Sequence, residues 1–245
     1  MNRYALLVLA FVVALMVGCG ASAKNKIVVA SDATWPPMEY VDENKEIVGF
    51  DIDLIKAIAE KGGFEVEIRN TAWDGIFAGL ANGSYDAVIS SVTITEERKN
   101  QMDFSEPYIN AGQVIVVKKG TKGTTLADFE GKKMGGQIGT TGVMEIQKNP
   151  KITLKTYDEI GLAIEDLYLG RIDGVVVDAP TAASFVLQNP KYKDALMIAS
   201  EPFTEEYYGI AVRKGNKRVL DLINKGLAEV KKAGIDKELE KKWLR

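Results

Sequence analysis

The chain has 245 residues, of which 46% are hydrophobic and 27% are charged, so it can bury a full core as one large domain or as two of ordinary size. Its formal net charge of −3, with no basic block, argues against nucleic acid and anionic membrane surfaces as partners. It has no histidine and one cysteine, which excludes Ser–His and Cys–His nucleophile systems and argues against a metal site. We therefore expect neither a metal nor a cofactor.

The N-terminal segment has the layout of a secretory signal. A basic residue precedes an apolar run from Tyr4 to Val17, which is too short for an ordinary membrane span. The run ends in M-V-G-C, similar to the lipobox of bacterial lipoproteins, which predicts a signal peptide over residues 1–18 and a lipid on Cys19. Cleavage after Ala23, at the small residues "ASA", is the alternative. In both interpretations the mature chain is exported, and it has no cysteine pair for a disulfide.

The first half of the mature chain alternates predicted strands with predicted helices. "KIVVAS" predicts a buried strand, "GFDIDLIKAIAEKGG" a helix that ends at Gly62, and "FEVEIR" a strand with one face in water. "WDGIFAGLANG" predicts a second short helix and "YDAVIS" a third strand. This β–α–β–α–β order predicts parallel strands joined by helical crossovers.

A second series of elements begins after Gln113. Strands are predicted at "QVIVVKKG", "KKMGGQIG", "ITLKTY" and "IDGVVVD". Helical segments are predicted at "TLADFEG", at "TTGVMEIQKN", at "DEIGLAIEDLYLG", which Gly170 closes, and from Ala179. "YYGIAVRKG" predicts one more strand before two amphipathic helices. The sequence therefore predicts two α/β units in series.

Polar residues gather where four of these strands end. They are Ser31 and Asp32; Ser90 and Ser91, with Thr93 and Arg98 close behind; Gly139, Thr140 and Thr141 at a helix start; and Asp178. Open parallel sheets bind ligands outside the carboxyl ends of their strands, so we expect these residues to meet in one cleft. A single Ser or Asp there is more often a helix cap. Together, however, the acids suit an ammonium, and Arg98 with helix N–H groups suits a carboxylate.

Arg98 lies in the first turn of a helix that Thr95 is predicted to cap. The backbone N–H groups already make this end positive, so a further cation is disfavoured there. A surface arginine in water costs only tenths of a kcal/mol, whereas an arriving anion would use both the N–H groups and the guanidinium.

Six segments together resemble the polar-amino-acid-binding proteins of bacterial ABC transporters. They are "SDATWPPMEY", "VGFDIDLIKAIA", "SSVTITEERKNQMDFSEPY", "GQIGTTG", "GRIDGVVVD" and "EEYYGIAVRK". The resemblance runs from about Lys26 to Arg245. It implies a two-lobed α/β periplasmic-binding-protein fold (type II, Venus-flytrap) with two hinge strands, near 108–113 and 205–209. Lobe 1 is then expected at 19–112 and 208–245, and lobe 2 at 113–207.

The resemblance also implies a ligand-binding role for ten residues. Arg98 is expected to hold the α-carboxylate, helped by Thr93 and the backbone at Thr141. Asp178 and the region of Ser91 are expected to take the α-ammonium. The side-chain end is expected at Asp32, Trp35, Trp73, Ser90 and Gln137, the last of which varies with specificity in the family. Ordinary core packing is the alternative for the two tryptophans.

The implied function is capture of a polar, basic amino acid in the periplasm or at the outer face of the cell membrane, and its delivery to an ABC transporter permease. We expect a monomer that meets the membrane only through its lipid anchor. A basic amino acid, arginine before lysine, is expected because two tryptophan faces and Asp32 suit a cation. Glutamine is the alternative, since its amide can donate to Asp32.

Two other functions remain open on this fold. A cyclohexadienyl dehydratase-like enzyme would need Asp32 or Asp178 as a proton donor. A ligand-sensing subunit would need a membrane helix or a signalling partner beyond Arg245. We expect a binding protein rather than an enzyme, because the residues of the cleft suit the holding of an amino acid.

Overall fold

A computed structural model describes residues 26–244. The predicted signal peptide, Cys19 and Ala23 lie outside these residues. The strands are β1 (Lys26–Ser31), β2 (Thr34–Trp35), β3 (Glu39–Val41), β4 (Ile47–Val48), β5 (Glu65–Asn70), β6 (Ala87–Val88), β7 (Met102–Phe104), β8 (Ile109–Asn110), β9 (Gln113–Lys118), β10 (Lys133–Gln137), β11 (Thr153–Tyr157), β12 (Gly174–Asp178), β13 (Leu196–Ile198), β14 (Tyr207–Tyr208) and β15 (Ala211–Arg213). The helices are α1 (Phe50–Gly62), α2 (Ile76–Asn82), α3 (Glu96–Gln101), α4 (Thr141–Gln147), α5 (Ile160–Tyr168), α6 (Ala179–Ala183), α7 (Lys217–Lys232) and α8 (Ile235–Trp243), with a 3₁₀ turn at Leu126–Phe129 and a π-helical turn at Ser184–Gln188.

The first sheet has the strand order β5-β1-β6-β15-β7. β1 lies parallel to β5 and to β6, as the β–α–β–α–β order predicts, and β15 lies antiparallel to β6 and β7. Helix α1 buries Ile52, Ile55 and Ala59 and packs against α7. It ends at Gly62, as predicted, because Gly63, with φ of 75°, adopts the left-handed conformation that closes a helix.

The second sheet has the order β11-β10-β12-β9-β13. β10 is parallel to β11 and β12, whereas β9 is antiparallel to β12 and β13. Because β9 pairs with β12 in antiparallel register, Gln113 stands opposite Asp178. This register brings an amide and an acid together at the edge of the sheet that faces the first lobe.

Two short strands connect the lobes. β8 and β14 pair in antiparallel register, with Tyr207 opposite Asn110 and Tyr208 opposite Ile109. After β14 the chain returns to the first sheet through β15, so the second sheet is an insertion between parts of the first. The predicted two-lobed α/β fold is confirmed. The exact lobe boundaries and the hinge motion of the two strands stay predictions.

The structure differs from the sequence predictions at several short strands, and β7 and β13, at the edges of the two main sheets, were not predicted. The single strand predicted for "YYGIAVRKG" is wrong, because its first part pairs with β8 between the lobes and its second part joins the first sheet. A small sheet of β2, β3 and β4 was not predicted, since strands of two or three residues are too short to show an alternating pattern. Within residues 26–244, no helix combines the length and apolarity that crossing a bilayer requires.

Candidate functional site

One cavity lies where the strand ends of the two sheets face each other. All ten residues predicted from the sequence line it, together with Glu39 and Thr140: they are Asp32, Trp35, Trp73, Ser90, Ser91, Thr93, Arg98, Gln137, Thr141 and Asp178. The structure thus brings the predicted set together, and the role of each residue in ligand binding stays a prediction.

Asp32 follows directly after β1 and is buried. Its backbone N–H donates to Ser90 Oγ at 2.9 Å, which ties the ends of β1 and β6 together. Its Oδ2 accepts from the Trp73 backbone N at 3.2 Å and from Gln137 Nε2 at 3.1 Å. Burial raises the pKa of Asp32, and hydrogen bonds from Thr34, Gln137 and Trp73 partly oppose that rise. An acid in this position favours a cationic or hydrogen-bond-donating partner.

Arg98 is held in place by its own helix and by both lobes. Thr95 caps α3, and its Oγ1 accepts from the Arg98 backbone N at 3.1 Å, so the predicted helix start is confirmed. The guanidinium donates to the carbonyl oxygen of Thr93 at 2.8 Å and to that of Gly139 at 3.1 Å. These two bonds engage two of its five N–H groups. Burial lowers the pKa of Arg98 to about 10, so the side chain is still a cation at neutral pH.

The two tryptophans serve the core and the cavity at the same time. Trp35 is 7% and Trp73 is 9% exposed, and each packs within a hydrophobic cluster. Both also line the cavity. The Arg98 guanidinium lies 5.5 Å from the ring centre of Trp73 and 5.2 Å from that of Phe77. Core packing and a ligand contact are therefore compatible for these side chains.

Two further acids, Glu39 and Asp51, support the serines at the end of β6. Glu39 accepts from Ser90 Oγ at 3.1 Å and from Ser91 Oγ at 3.2 Å. Asp51 Oδ2 accepts from the Ser91 backbone N and from the Tyr108 hydroxyl, each at 2.8 Å. Ser91 has φ of 51°, a left-handed conformation that is uncommon for a non-glycine residue, and the bond to Asp51 holds it there.

Glu39 and Asp51 share a buried environment. Burial, followed by the charge of Asp51, raises the pKa of Glu39 well above its usual range. Burial also raises the pKa of Asp51, to about 6. Two carboxyl groups this close disfavour double ionisation, so the pair retains a proton more readily than exposed acids do.

The second lobe contributes a helix start and an acid. Thr140 caps α4, and Gly139 before it has φ of 72°, which lets the chain turn so that its carbonyl accepts from Arg98. Asp178 ends β12, and its Oδ1 accepts from Gln113 Nε2 at 2.9 Å. Burial, followed by the charge of Glu206, raises the pKa of Asp178 to about 7.

Glu206, which was not predicted from the sequence, connects the surroundings of Asp178 to both lobes. It is 8% exposed, and its Oε2 accepts from Thr93 Oγ1 at 2.9 Å, from Thr141 Oγ1 at 2.7 Å and from Gln113 Nε2 at 3.3 Å. The segment "EEYY" alternates between exposed and buried residues, so that Glu205 faces water and Glu206 the interior. The alternation of a strand could have singled out Glu206, but β14 is only two residues long.

The ionisable side chains around the cavity are predominantly acids. Among the lining residues in the described part of the chain, Asp32, Glu39 and Asp178 are acids, and Arg98 is the one basic side chain. Residues 26–244 contain no cluster of three or more acids, histidines or cysteines placed to hold a metal ion. Chemically, this set of side chains can pair with one anionic group and with several cationic or hydrogen-bond-donating groups.

Two α/β lobes joined by paired strands, with a buried polar cavity between their strand ends, define a two-lobed binding protein for a small charged molecule. The chain belongs to the bacterial extracellular solute-binding proteins, family 3, whose family model matches residues 27–245.

Three similar proteins are named for a ligand that they bind. The chain is similar to the ABC transporter arginine-binding protein 1 of Escherichia coli (strain K12), with 40% identity over 231 residues, 92% of this chain and 93% of that protein. An ancestral arginine-binding protein bound to arginine matches with a TM-score of 0.86 and 45% identity, over 91% of this chain and 100% of the other. An ancestral arginine-binding protein bound to glutamine matches with a TM-score of 0.85 and 46% identity, over 90% and 98%.

Proposed function

We propose that this protein captures a basic L-amino acid, arginine before lysine, outside the cytoplasm and delivers it to the permease of an ABC importer. The observation that carries this proposal is the excess of buried acids over Arg98 around the cavity. Membership of the family supports delivery to a transporter, and the arginine-binding relative and structure support the class of ligand.

Each charged group of a basic amino acid pairs with one charged side chain of the cavity. An α-carboxylate pairs with Arg98, and an α-ammonium pairs with Asp178. Asp32, which is 4% exposed, then still lacks a cationic partner, and a buried carboxylate without one is costly. A guanidinium or a second ammonium supplies that partner, and the faces of Trp35 and Trp73 add cation–π attraction of about 2 kcal/mol in a desolvated site.

Glutamine is the second candidate, and one contact favours it. Asp32 Oδ2 already accepts from a carboxamide, that of Gln137, at 3.1 Å. The amide of a glutamine ligand could donate to Asp32 in the same manner. The ancestral protein bound to glutamine is in line with this alternative.

Calorimetry with arginine, lysine, citrulline and glutamine on protein freed of bound ligand by unfolding and refolding tests the proposal. Citrulline has the shape of arginine without its charge. We expect arginine to bind at least tenfold more tightly than citrulline, since about 1.4 kcal/mol corresponds to tenfold. Equal affinities would move glutamine to first place, and no binding of any of the four would overturn the function.

The same proposal includes binding without catalysis. The protein is expected to leave prephenate and arogenate unchanged. Appearance of an aromatic product during incubation, absent with heat-denatured protein, would instead establish the dehydratase-like alternative.

We further propose that Cys19 carries the lipid that anchors the protein. The expected intact mass is that of a chain starting at a lipid-modified Cys19, and Cys19→Ala should release the protein from the membrane fraction. A native mass that fits an unmodified chain starting at Lys24 would contradict the anchor and favour cleavage after Ala23.

A further inference from the structure

A single carboxylate oxygen joins the hydroxyl groups of two threonines that come from different lobes. Glu206 Oε2 lies 2.9 Å from Thr93 Oγ1 and 2.7 Å from Thr141 Oγ1. Both threonines line the cavity, whereas Glu206 lies behind them and is buried. The other oxygen, Oε1, accepts from Thr204 Oγ1 at 2.8 Å. The carboxylate is thus fixed at both oxygens.

This arrangement determines what the two hydroxyls can do toward the cavity. A threonine hydroxyl has one proton and two lone pairs, and an ionised carboxylate can only accept. Each hydroxyl therefore donates its one hydrogen bond to Glu206. Toward any other neighbour, Thr93 Oγ1 and Thr141 Oγ1 act as acceptors.

Gln113 supports this assignment of the protons independently. Its Nε2 donates to Thr141 Oγ1 at 3.1 Å and to Asp178 Oδ1 at 2.9 Å. Thr141 thus accepts on the side of Gln113, so its own proton has to point elsewhere. The Glu206 carboxylate at 2.7 Å is a nearer acceptor for it than Thr93 Oγ1 at 3.5 Å. The opposite orientation of the Gln113 amide would place its oxygen against two carboxylates.

We propose that Glu206 is a positioning residue that turns the hydroxyls of Thr93 and Thr141 into acceptors for the α-ammonium of the ligand, beside Asp178. This inference rests on the proposed function, since it presupposes an amino acid ligand. It also changes the expectation for Thr93, whose hydroxyl would serve the ammonium rather than the carboxylate. The protein then selects for a charged α-amino group through a residue that does not contact it.

Two ligands and two substitutions at one position test the proposal. The ligands are arginine and 5-guanidinopentanoate, which is arginine without its α-amino group. Glu206→Leu removes the acceptor for both hydroxyls. Glu206→Gln removes the charge but can place its amide oxygen where Oε2 lies, so it can still accept the two protons.

In Glu206→Leu, we expect the preference for arginine over 5-guanidinopentanoate to fall about ten- to hundredfold, the size of a hydrogen bond to a charged group. Glu206→Gln should restore most of that preference. Glu205→Leu and Glu205→Gln are matched controls, because Glu205 is exposed and bonds the Tyr207 hydroxyl. Both should leave the preference unchanged.

Two outcomes would overturn the proposal. If Glu206→Leu weakened both ligands equally, Glu206 would only support the structure. If Glu206→Gln were as poor as Glu206→Leu, the charge and not the orientation of the hydroxyls would be responsible. Failure of the parent protein to bind arginine would instead overturn the proposed function.

Thr93 provides the same test should Glu206→Leu not fold. Thr93→Val removes the acceptor from the cavity and should lower the preference for arginine over 5-guanidinopentanoate. Thr93→Ser, which keeps the hydroxyl and its bond to Glu206, should retain it. An unchanged preference in Thr93→Val would contradict the proposal.

Discussion

Gln137 donates from Nε2 to Asp32 Oδ2 at 3.1 Å, and this bond joins the second lobe to the first through the lining of the cavity. The other end of the same amide is fixed in its own lobe, because Oε1 accepts from the Ile160 backbone N at 3.1 Å. Arg98 makes a second connection through the Gly139 carbonyl. We therefore predict that closure of the lobes and assembly of the site are coupled through these side chains.

This coupling makes a prediction about motion. Arginine should favour the closed form, so the radius of gyration from small-angle scattering should fall when it binds. Gln137→Leu removes one bond of the closed form, worth about 0.5–1.5 kcal/mol, and should raise the arginine concentration at half-change about two- to tenfold. Gln147→Leu, at an exposed position in the same lobe, is the control. A radius that does not respond to arginine would indicate a rigid cavity.

Removal of Arg98 should have the largest effect on affinity. Arg98→Ala leaves a ligand carboxylate without its charge partner, at a cost of about 2–5 kcal/mol in comparable sites, or roughly thirty- to several-thousand-fold. Lys99→Ala removes a cation from the same helix, where Lys99 pairs with Glu96 on the surface, and should change affinity less than twofold. Calorimetry that finds Arg98→Ala within a factor of three of the parent would contradict the carboxylate assignment.

Seven of the ten predicted residues of the cavity follow from order along the chain, whereas Trp35, Trp73 and Gln137 were predicted only from the resemblance to the family. Parallel strands joined by helices bring their carboxyl ends to one edge, so Asp32 after β1 and Ser90 after β6 had to be neighbours. Thr95 before two glutamates likewise predicted the cap that presents Arg98. Strand-end and helix-cap patterns involve only a few neighbouring residues, so they can be recognised without knowing how distant segments pack.

The acids behind the cavity could not be predicted in the same way. Glu39 lies in a three-residue strand, and Asp51 in the first turn of α1, where an acid is ordinarily explained by the helix dipole. Their proximity arises from long-range packing of segments that carry no shared motif. The position of Glu206 depends on the register of β14 against β8. Only the assembled lobes determine that register.

Asp32 should set the preference for a charged side chain. In Asp32→Asn the acid becomes an amide, so a guanidinium loses its ion pair while a neutral ureido group can still form hydrogen bonds. We expect most of the arginine-over-citrulline preference to disappear, chiefly through weaker binding of arginine. Asp42→Asn, in the turn after β3 where Asp42 Oδ1 accepts from the Glu46 backbone N, is a control outside the cavity that should keep it. An unaltered preference in Asp32→Asn would show that another group recognises the positive charge.

Asp178 should make the affinity depend on pH, and the sign of the dependence is fixed by its surroundings. Burial and the charge of Glu206 raise its pKa to about 7, while Gln113 and Tyr208 oppose the rise and the nearby Arg98 guanidinium favours ionisation. The acid therefore holds a proton below about pH 7 in the ligand-free protein. An α-ammonium needs the ionised form, so binding at low pH has to release that proton.

Affinity for arginine should thus be nearly constant above pH 7 and should fall as the pH drops, by about a hundredfold between pH 8 and pH 5 if the bound acid stays ionised. The folding stability of the ligand-free protein depends on the titration of Asp178 in the opposite direction: it falls as the pH rises. A folded pKa above the unfolded value near 4 stabilises the fold at low pH, and that contribution is lost as the pH rises through 7. Calorimetry in buffers of different ionisation enthalpy should detect proton release on binding at pH 6. Asp178→Asn should bind more weakly at every pH and should lack most of the slope; a parent-like slope in this variant would assign the titration to another of the buried acids.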